Sequence, residues 1–469
     1  MTSSNRNSFF TTKPQYIFAI FSFIAGFILT LLIPPIGGID ENHHIRRISD
    51  ISHFEFLNPR TYTEDPLSLW VDNGWVVRKN YHENHKKWYF NDIEKIKIEQ
   101  PTEQEIEIDK NIFAVGNPVI YFPFAMLLKL INFVFHPEIW LQFYIIRFLF
   151  LISSVTLFTI AIAKIAEHKI LLATVGMLPV MLYNRSGVNA DGLLIGCSAL
   201  FIITIYNLCE AYHKDNSAKI TGKNLTSLFI WGFLTAQVKG AYLPLLFLVL
   251  LIPKNMFRSK KNRLLNIIIL VIPAVICSLI WSNYARQEIL SGVKYFVEGG
   301  AMTWPDGQFE WIISHPLSFA TVIIKTIFAS PIIPNSVSQM VGYLGWNGFH
   351  ISVLSAVILL LMVFAIAAYE PANNNFFYKS SIKKLFVIAI LLATFTLMLT
   401  MLYVQWTGYK SDIVLGFQGR YFYPLIPALL FFVKPITTLQ NKNKATLLLW
   451  LFSFISATSV IYSTIVGNY

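Results

Sequence analysis

Apolar runs long enough to cross a bilayer recur along almost the whole of this chain, and that feature limits its fold more than any other. A spanning helix needs about 20 mostly apolar residues, because in hydrocarbon every backbone amide must find its partner within the segment. Such runs begin with Tyr16 to Ile36. They recur at about 143–163, 170–187, 191–209, 224–238, 241–253, 264–284, 351–369, 385–404, 421–433 and 446–465, each roughly one bilayer thickness once tilt and shortness are allowed. Charged residues make up 13% of the chain, against roughly 25% in soluble domains. The pattern predicts an all-α polytopic membrane protein, a single transmembrane domain over residues 1–469 with about 11 to 13 crossings.

The net charge of +11 does not point to nucleic acid. The basic residues sit mainly in short loops: Lys164–Lys169, Lys214–Lys223, the cluster Lys254, Arg258, Lys260, Lys261 and Arg263, then Lys379–Lys384 and Lys434–Lys444. That is the positive-inside pattern. With Arg6 and Lys13 ahead of the first run, it predicts a cytoplasmic N-terminus in a bacterial inner (plasma) membrane. The first run is too long for a signal-peptide core and lacks a small-residue cleavage site, so it reads as a retained span. Cys197, Cys209 and Cys277 lie in apolar runs and suggest buried thiols rather than a disulfide framework.

This topology places two long segments outside, residues 37–116 and 286–350. The first is the longest polar stretch, and Trp70, Trp75, Trp88 and Tyr89 suggest an ordered loop with helices on the membrane surface. Two further apolar pieces, Pro118 to Phe135 and Leu317 to Ser330, follow prolines and carry Lys129 and Lys325. They read as re-entrant or interfacial helices on the outer face. No internal repeat is visible, which weakens an inverted-repeat transporter reading.

The unusual polar residues gather at the outer ends of spans, where ionisable groups usually have a task. After Gly37-Gly38, residues Asp40 and His44 fall one helical turn apart, with Arg47 close to the same side. Asp40 could simply cap a helix. It could instead be a general base whose carboxyl is pushed up by nearby lipid, or Asp40, Glu41 and His44 could bind a divalent metal. In the turn Asn184 to Gly192, Arg185 and Asp191 could pair with each other or serve a site. Lys239 lies at an outer turn against the positive-inside bias, where it either snorkels to headgroups or binds an anion. Arg420, in Gln418-Gly419-Arg420-Tyr421, is either an interfacial anchor or a fork suited to phosphate. Trp304-Pro305-Asp306-Gly307 and Tyr343-Leu344-Gly345-Trp346 fit an interfacial aromatic belt.

These residues resemble a family of predicted bacterial membrane proteins placed in the GT-C glycosyltransferase superfamily. Its first span ends in a proline-rich stretch followed by Asp-Glu-x-x-His, matched by Pro34-Pro35 and Asp40-Glu41-Asn42-His43-His44, with Arg47 at the family's following Arg. A Ser-x-Asp-Ala-Leu-like turn is matched by Asn189-Ala190-Asp191-Gly192-Leu193, and a Lys-Pro-x-Tyr-Leu-Pro-like stretch by Lys239 to Pro244. A Gln-Gly-Arg-Tyr-Phe-x-Pro-Leu motif is intact from Gln418 to Leu425. Gly192 and Gly240 stand where the family has Ala and Pro. The outer acidic pair is also similar to that of protein O-mannosyltransferases. The resemblance implies a GT-C-like helical bundle that transfers a sugar, with inversion, from a polyprenyl-phosphate donor to a cell-surface glycan or lipid-linked polysaccharide. Asp40 would be the catalytic base, with Glu41 its neighbour in the catalytic pair. Arg420, Lys239 and Gln418 would hold the donor phosphate, and His44, Arg47, Asp191 and Arg185 would orient groups or bind the acceptor. No cofactor is implied, and metal use stays open. Rival readings are an O-antigen polymerase or ligase, whose large outer loop falls late in the chain, and a lipid-linked glycan transporter or flippase, which would want polar groups near the midplane.

Overall fold

Helix starts in this chain are set by local chemistry. Proline opens Pro14–Leu32 (α1), Pro118–Phe135, Pro179–Arg185, Pro305–Ser314 and Pro316–Phe328, where its missing amide costs nothing. Asn117, Asn189, Thr221, Ser259, Ser352, Ser380 and Asn441 each accept a backbone amide at a helix N-cap. The computed structural model describes residues 13–57, 65–83, 86–98, 116–296, 301–345, 348–371, 380–433 and 438–469. The expectations made for Arg6, Trp346, Lys379 and Lys434 lie outside them.

After α1 come Glu41–Ser52 (α2), Pro66–Glu83 (α3), Pro118–Phe135 (α4), Ile139–Lys164 (α5), Lys169–Gly176 (α6), Pro179–Arg185 (α7), Ala190–Lys214 (α8) and Gly222–Val238 (α9). Then follow a 3₁₀ segment Gly240–Leu251, Lys260–Tyr284 (α10), Pro305–Ser314 (α11), Pro316–Phe328 (α12), Ile332–Gly342 (α13), Val353–Tyr369 (α14) and Ser381–Trp406 (α15). A 3₁₀ segment Gly419–Leu425 leads through Ile426–Leu429 (α16) to Lys442–Asn468 (α17). Two two-residue hairpins, Tyr295–Phe296 with Met302–Thr303 and Tyr343–Leu344 with Phe349–His350, are the sheet among the described residues.

Seven described helices are long and apolar enough to cross a membrane: α1, α4, α5, α8, α10, α15 and α17. The run at 170–187 is instead two short helices, broken between Gly176 and Pro179. A side chain at Gly176 would strike the rings of Phe158 and Phe18. The runs at 241–253 and 421–433 are largely 3₁₀, because Pro244, Pro424 and Pro427 remove amide donors. The second predicted re-entrant piece, α12, meets α11 at a bend of 108°. The first, α4, is long enough to cross but runs beside α2 in the same direction. His44 meets Tyr121 near their N-terminal ends, and Lys129 donates to the Ser52 carbonyl near their C-terminal ends.

Helix α8 is the axis of the bundle. Its apolar window is 89% buried within the protein, against 22% for α10 and α15, whose exposed Leu and Ile side chains suit contact with lipid tails. Around α8 pack α5 and α9; α1 joins through α5, and α17 through α1. The bundle has two unlike ends. At one, the basic loops meet: Asn207 reaches the Lys164 carbonyl, Lys214 faces Glu167, Lys219 reaches Asn255 and Lys444 lies over Tyr369. At the other lie the C-terminal ends of α1 and α9 and the N-terminal end of α8.

Candidate functional site

The chain leaves α1 through Pro34-Pro35 and turns at Gly37, whose amide reaches back to the Pro34 carbonyl at 2.9 Å. Ile36 and Asp40 both take left-handed backbone conformations, φ 59° and 56°. Such a conformation strains a β-branched residue like Ile36, is better tolerated by aspartate, and persists where surrounding contacts impose it. Here the contacts come from Glu41. Its fully buried carboxylate forms a two-pronged ion pair with Arg147 of α5, at 2.8 and 2.7 Å, and accepts the amides of Gly38 (3.1 Å) and Val188 (3.0 Å). Arg147 also donates to the carbonyls of Thr30, Ile33 and Pro34. These carbonyls lie at and just past the C-terminal end of α1, where a cation is favoured. The Glu41–Arg147 pair thus fastens the end of α1, the Gly38 turn and the α7–α8 turn together.

Four donors use all the lone pairs of Glu41, so of the two acids Asp40 is the one with acceptor capacity left over. Asp40 sits at the N-cap position of α2 but caps nothing. Its Oδ2 accepts instead from Arg420 Nη2 at 2.9 Å. Arg420 Nε lies 3.1 Å from Asp191 Oδ2, and Lys239 bonds the other oxygen of Asp191. The result is a chain of alternating charge, Asp40, Arg420, Asp191, Lys239. Its inner members are buried, while Asp40 and Lys239 are 37% and 32% exposed. Asp191 lies in the first turn of α8, where the helix dipole favours an anion. Tyr421 lies under both cations, its ring 4.8 Å from Lys239 Nζ and 5.4 Å from the Arg420 guanidinium. Tyr242 donates to the Tyr421 carbonyl at 2.8 Å.

The Arg420 segment is pinned by α13. A side chain at Gly419 would lie 2.2 Å from the Ser336 carbonyl oxygen, so only glycine allows this approach. The Gly419 amide donates to Gln339, and Ser336 donates to the Phe417 carbonyl. Gln418 is half-buried and gives its carbonyl to the Tyr421 amide.

Other expected members are elsewhere. Arg185 does not pair with Asp191: it points inward between the rings of Phe18 and Phe158 and donates to the Gly176 carbonyl. Arg47 is buried and donates to the Phe56 carbonyl at 2.7 Å, beside Trp281, so it ties the loop after α2. His44 stays near the charge chain, its Nδ1 2.7 Å from the Tyr121 hydroxyl. The proposed metal trio does not converge, since Arg147 occupies Glu41 and Arg420 holds Asp40. Among the described residues no group of three or more His, Cys, Asp or Glu is arranged to hold a metal ion. Trp304 lies over Lys294 and lines a cavity of about 480 Å³ with Arg286 and Asp306, while Tyr343 stacks on His350.

The expected upward push on Asp40 is overturned. Burial does raise its carboxyl, but Arg420, His44, His43 and Lys239 pull harder and hold it below the ordinary range. Burial drives His43 down to about 3 and His44 to about 4, with Asp40 opposing in both, so both rings are neutral at pH 7. Between 6.5 and about 4 the unfolded chain therefore takes up protons that the folded chain refuses. Stability is complete above pH 6.5 and lost as pH falls. Asp72, raised to about 6 by burial against the pull of Arg46, works the other way and offsets part of this. Thermal unfolding in detergent is expected to show Tm falling from pH 7 to pH 4.5, more shallowly in a His43→Gln/His44→Gln variant. Equal slopes would contradict the assignment.

A family model described as "Predicted membrane protein (DUF2142)" matches residues 23–429. The chain belongs to that family. The match covers the turn after α1, the α7–α8 turn, Lys239 and Arg420, so every member of the charge chain lies within the DUF2142 region. No curated protein and no solved structure matches the chain. Sequence reasoning missed Arg147, although a lone arginine inside the apolar run 143–163 was a signal in itself.

Proposed function

We propose that this DUF2142 protein is an inverting membrane glycosyltransferase of the GT-C type. It moves a sugar from a polyprenyl-phosphate donor to a cell-surface glycan or lipid-linked polysaccharide. One observation carries the reading: the chain Asp40, Arg420, Asp191, Lys239 lies at the end of the bundle opposite the basic loops, with its acid and amine ends open. Basic loops favour the cytoplasm, so this end is extracytoplasmic in a bacterial inner membrane, with about 11 to 13 crossings once the short and broken segments are included.

The step would run as follows. Asp40 takes the proton from an acceptor hydroxyl, and that oxygen attacks the anomeric carbon from the face opposite the phosphate. The bond from the anomeric carbon to the phosphate oxygen breaks, and the polyprenyl phosphate leaves with the electron pair. Arg420 and Lys239 stabilise the charge that develops there, which is the electrostatic part of the catalysis. Asp191 positions both cations. A phosphate leaving group carries its own charge, so the step needs no separate acid of the kind used in glycoside hydrolysis.

Purified protein offered a panel of radiolabelled undecaprenyl-phosphate sugars and host glycolipids, with and without chelator, is expected to transfer label from at least one monophosphate donor. Consumption of diphosphate-linked oligosaccharides instead would favour a polymerase or ligase. Movement of intact lipid-linked glycan across vesicles without a new glycosidic bond would favour a flippase.

A further inference from the structure

Arg420 meets its two carboxylates unequally. It touches Asp40 through Nη2 alone, and its Nε lies within ion-pair distance of Asp191 but is not aligned for a hydrogen bond. Neither contact uses the planar fork that matches a carboxylate or phosphate by two parallel bonds. Asp191 is buried and also held by Lys239, whereas Asp40 is the exposed partner. Asp40 is moreover kept in a left-handed backbone conformation in which its carboxylate bonds Arg420 rather than capping α2.

We propose that Asp40 acts as a latch on Arg420: in the empty protein its carboxylate occupies the position that the phosphate group of a prenyl phosphate or its sugar ester takes, and binding of the anion releases Asp40. The four charged groups sum to zero before the anion arrives. A phosphate anion beside Asp40 would set two anions against each other, so the carboxylate must leave Arg420 or be neutralised. The displaced group is Asp40 and not Asp191, because Asp191 keeps Lys239 and its place in the first turn of α8. Loss of the Arg420 contact removes the largest downward pull on the Asp40 carboxyl. The donor's own arrival thereby converts a weak base into a stronger one. The latch rests on the transferase reading for the identity of the anion, but its test needs no turnover.

The probe is farnesyl phosphate in detergent, with farnesol as the chain-only control and inorganic phosphate as the headgroup-only arm. Affinity is measured calorimetrically for wild type, Asp40→Asn and Arg420→Gln. Removing the competing carboxylate frees the fork, so Asp40→Asn is expected to bind farnesyl phosphate about five- to tenfold more tightly than wild type. Arg420→Gln is expected to lose the phosphate-dependent part and bind no better than farnesol does. A stronger response to farnesyl phosphate than to inorganic phosphate identifies a lipid-borne ligand; the reverse identifies a soluble one. Unchanged or weaker binding by a folded Asp40→Asn overturns the latch and leaves the transferase reading standing. Tightening without any sugar transfer keeps the latch and retires the transferase. Absence of phosphate-dependent binding in every variant overturns the Arg420 seat, and the latch with it.

Discussion

Arg147→Met is expected to destabilise the protein by about 3–5 kcal/mol, the cost of stripping one partner from a buried ion pair. The arginine and Glu41 are both fully buried. Removing the guanidinium deletes five hydrogen bonds, two to Glu41 and three to the carbonyls of Thr30, Ile33 and Pro34. Glu41 would keep only the Gly38 and Val188 amides and its charge would lose its counter-ion, and a buried charged acceptor stripped of donors costs more than the bonds were worth. Arg147→Lys keeps the charge but cannot reach all five acceptors, so it is expected to fall between wild type and Met. Glu41→Leu with Arg147→Met removes both charges and should lose less than the sum of the two single changes, because each single variant strands the other partner. Thermal unfolding in detergent measures this. A single variant that keeps the wild-type Tm would show that the clamp does not hold the turn.

The clamp also shows what the sequence could and could not reveal. The long helices followed from apolar runs, whereas the runs at 170–187, 241–253 and 421–433 did not form single α-helices. The breaks at Gly176 and Pro244 were legible in principle too, since proline and glycine interrupt a helix locally. Partnerships across the bundle were not. Arg185 and Asp191 lie six residues apart and invited a pairing, yet a helix start intervenes. Asn189 caps α8 there, turning Asp191 toward Lys239, while Arg185 stays in α7 and faces Phe18 and Phe158. Glu41 pairs with a residue 106 positions away and Asp40 with one 380 away, so no local pattern could separate the fully buried acid from its part-exposed neighbour. The downward pull on Asp40 was hidden for the same reason: burial is visible in an apolar context, but the cation that reverses its effect comes from the far end of the chain.

If Asp40 is the base, Asp40→Asn is expected to cut turnover by about 10²- to 10⁴-fold, the usual contribution of a positioned proton acceptor. Asparagine keeps the size of the side chain, and that side chain is part-exposed, so Tm should stay close to wild type. Glu41→Gln should do the opposite. It withdraws a charge from a fully buried pair and should lower Tm first, with activity falling only as folded protein is lost. The kinetic pattern is a sharper test than the loss itself. Because the carboxylate competes with the donor phosphate for Arg420, its removal should lower KM for the donor while lowering kcat, a combination that mere loosening of the site would not give. Arg420→Lys should show the reverse bias: a point charge in place of a fork raises KM and also slows departure of the phosphate. Full turnover in a folded Asp40→Asn protein would remove the base from the proposed chemistry. With Glu41 fully occupied by four donors, the proton would then have to leave through His44 or the substrate itself.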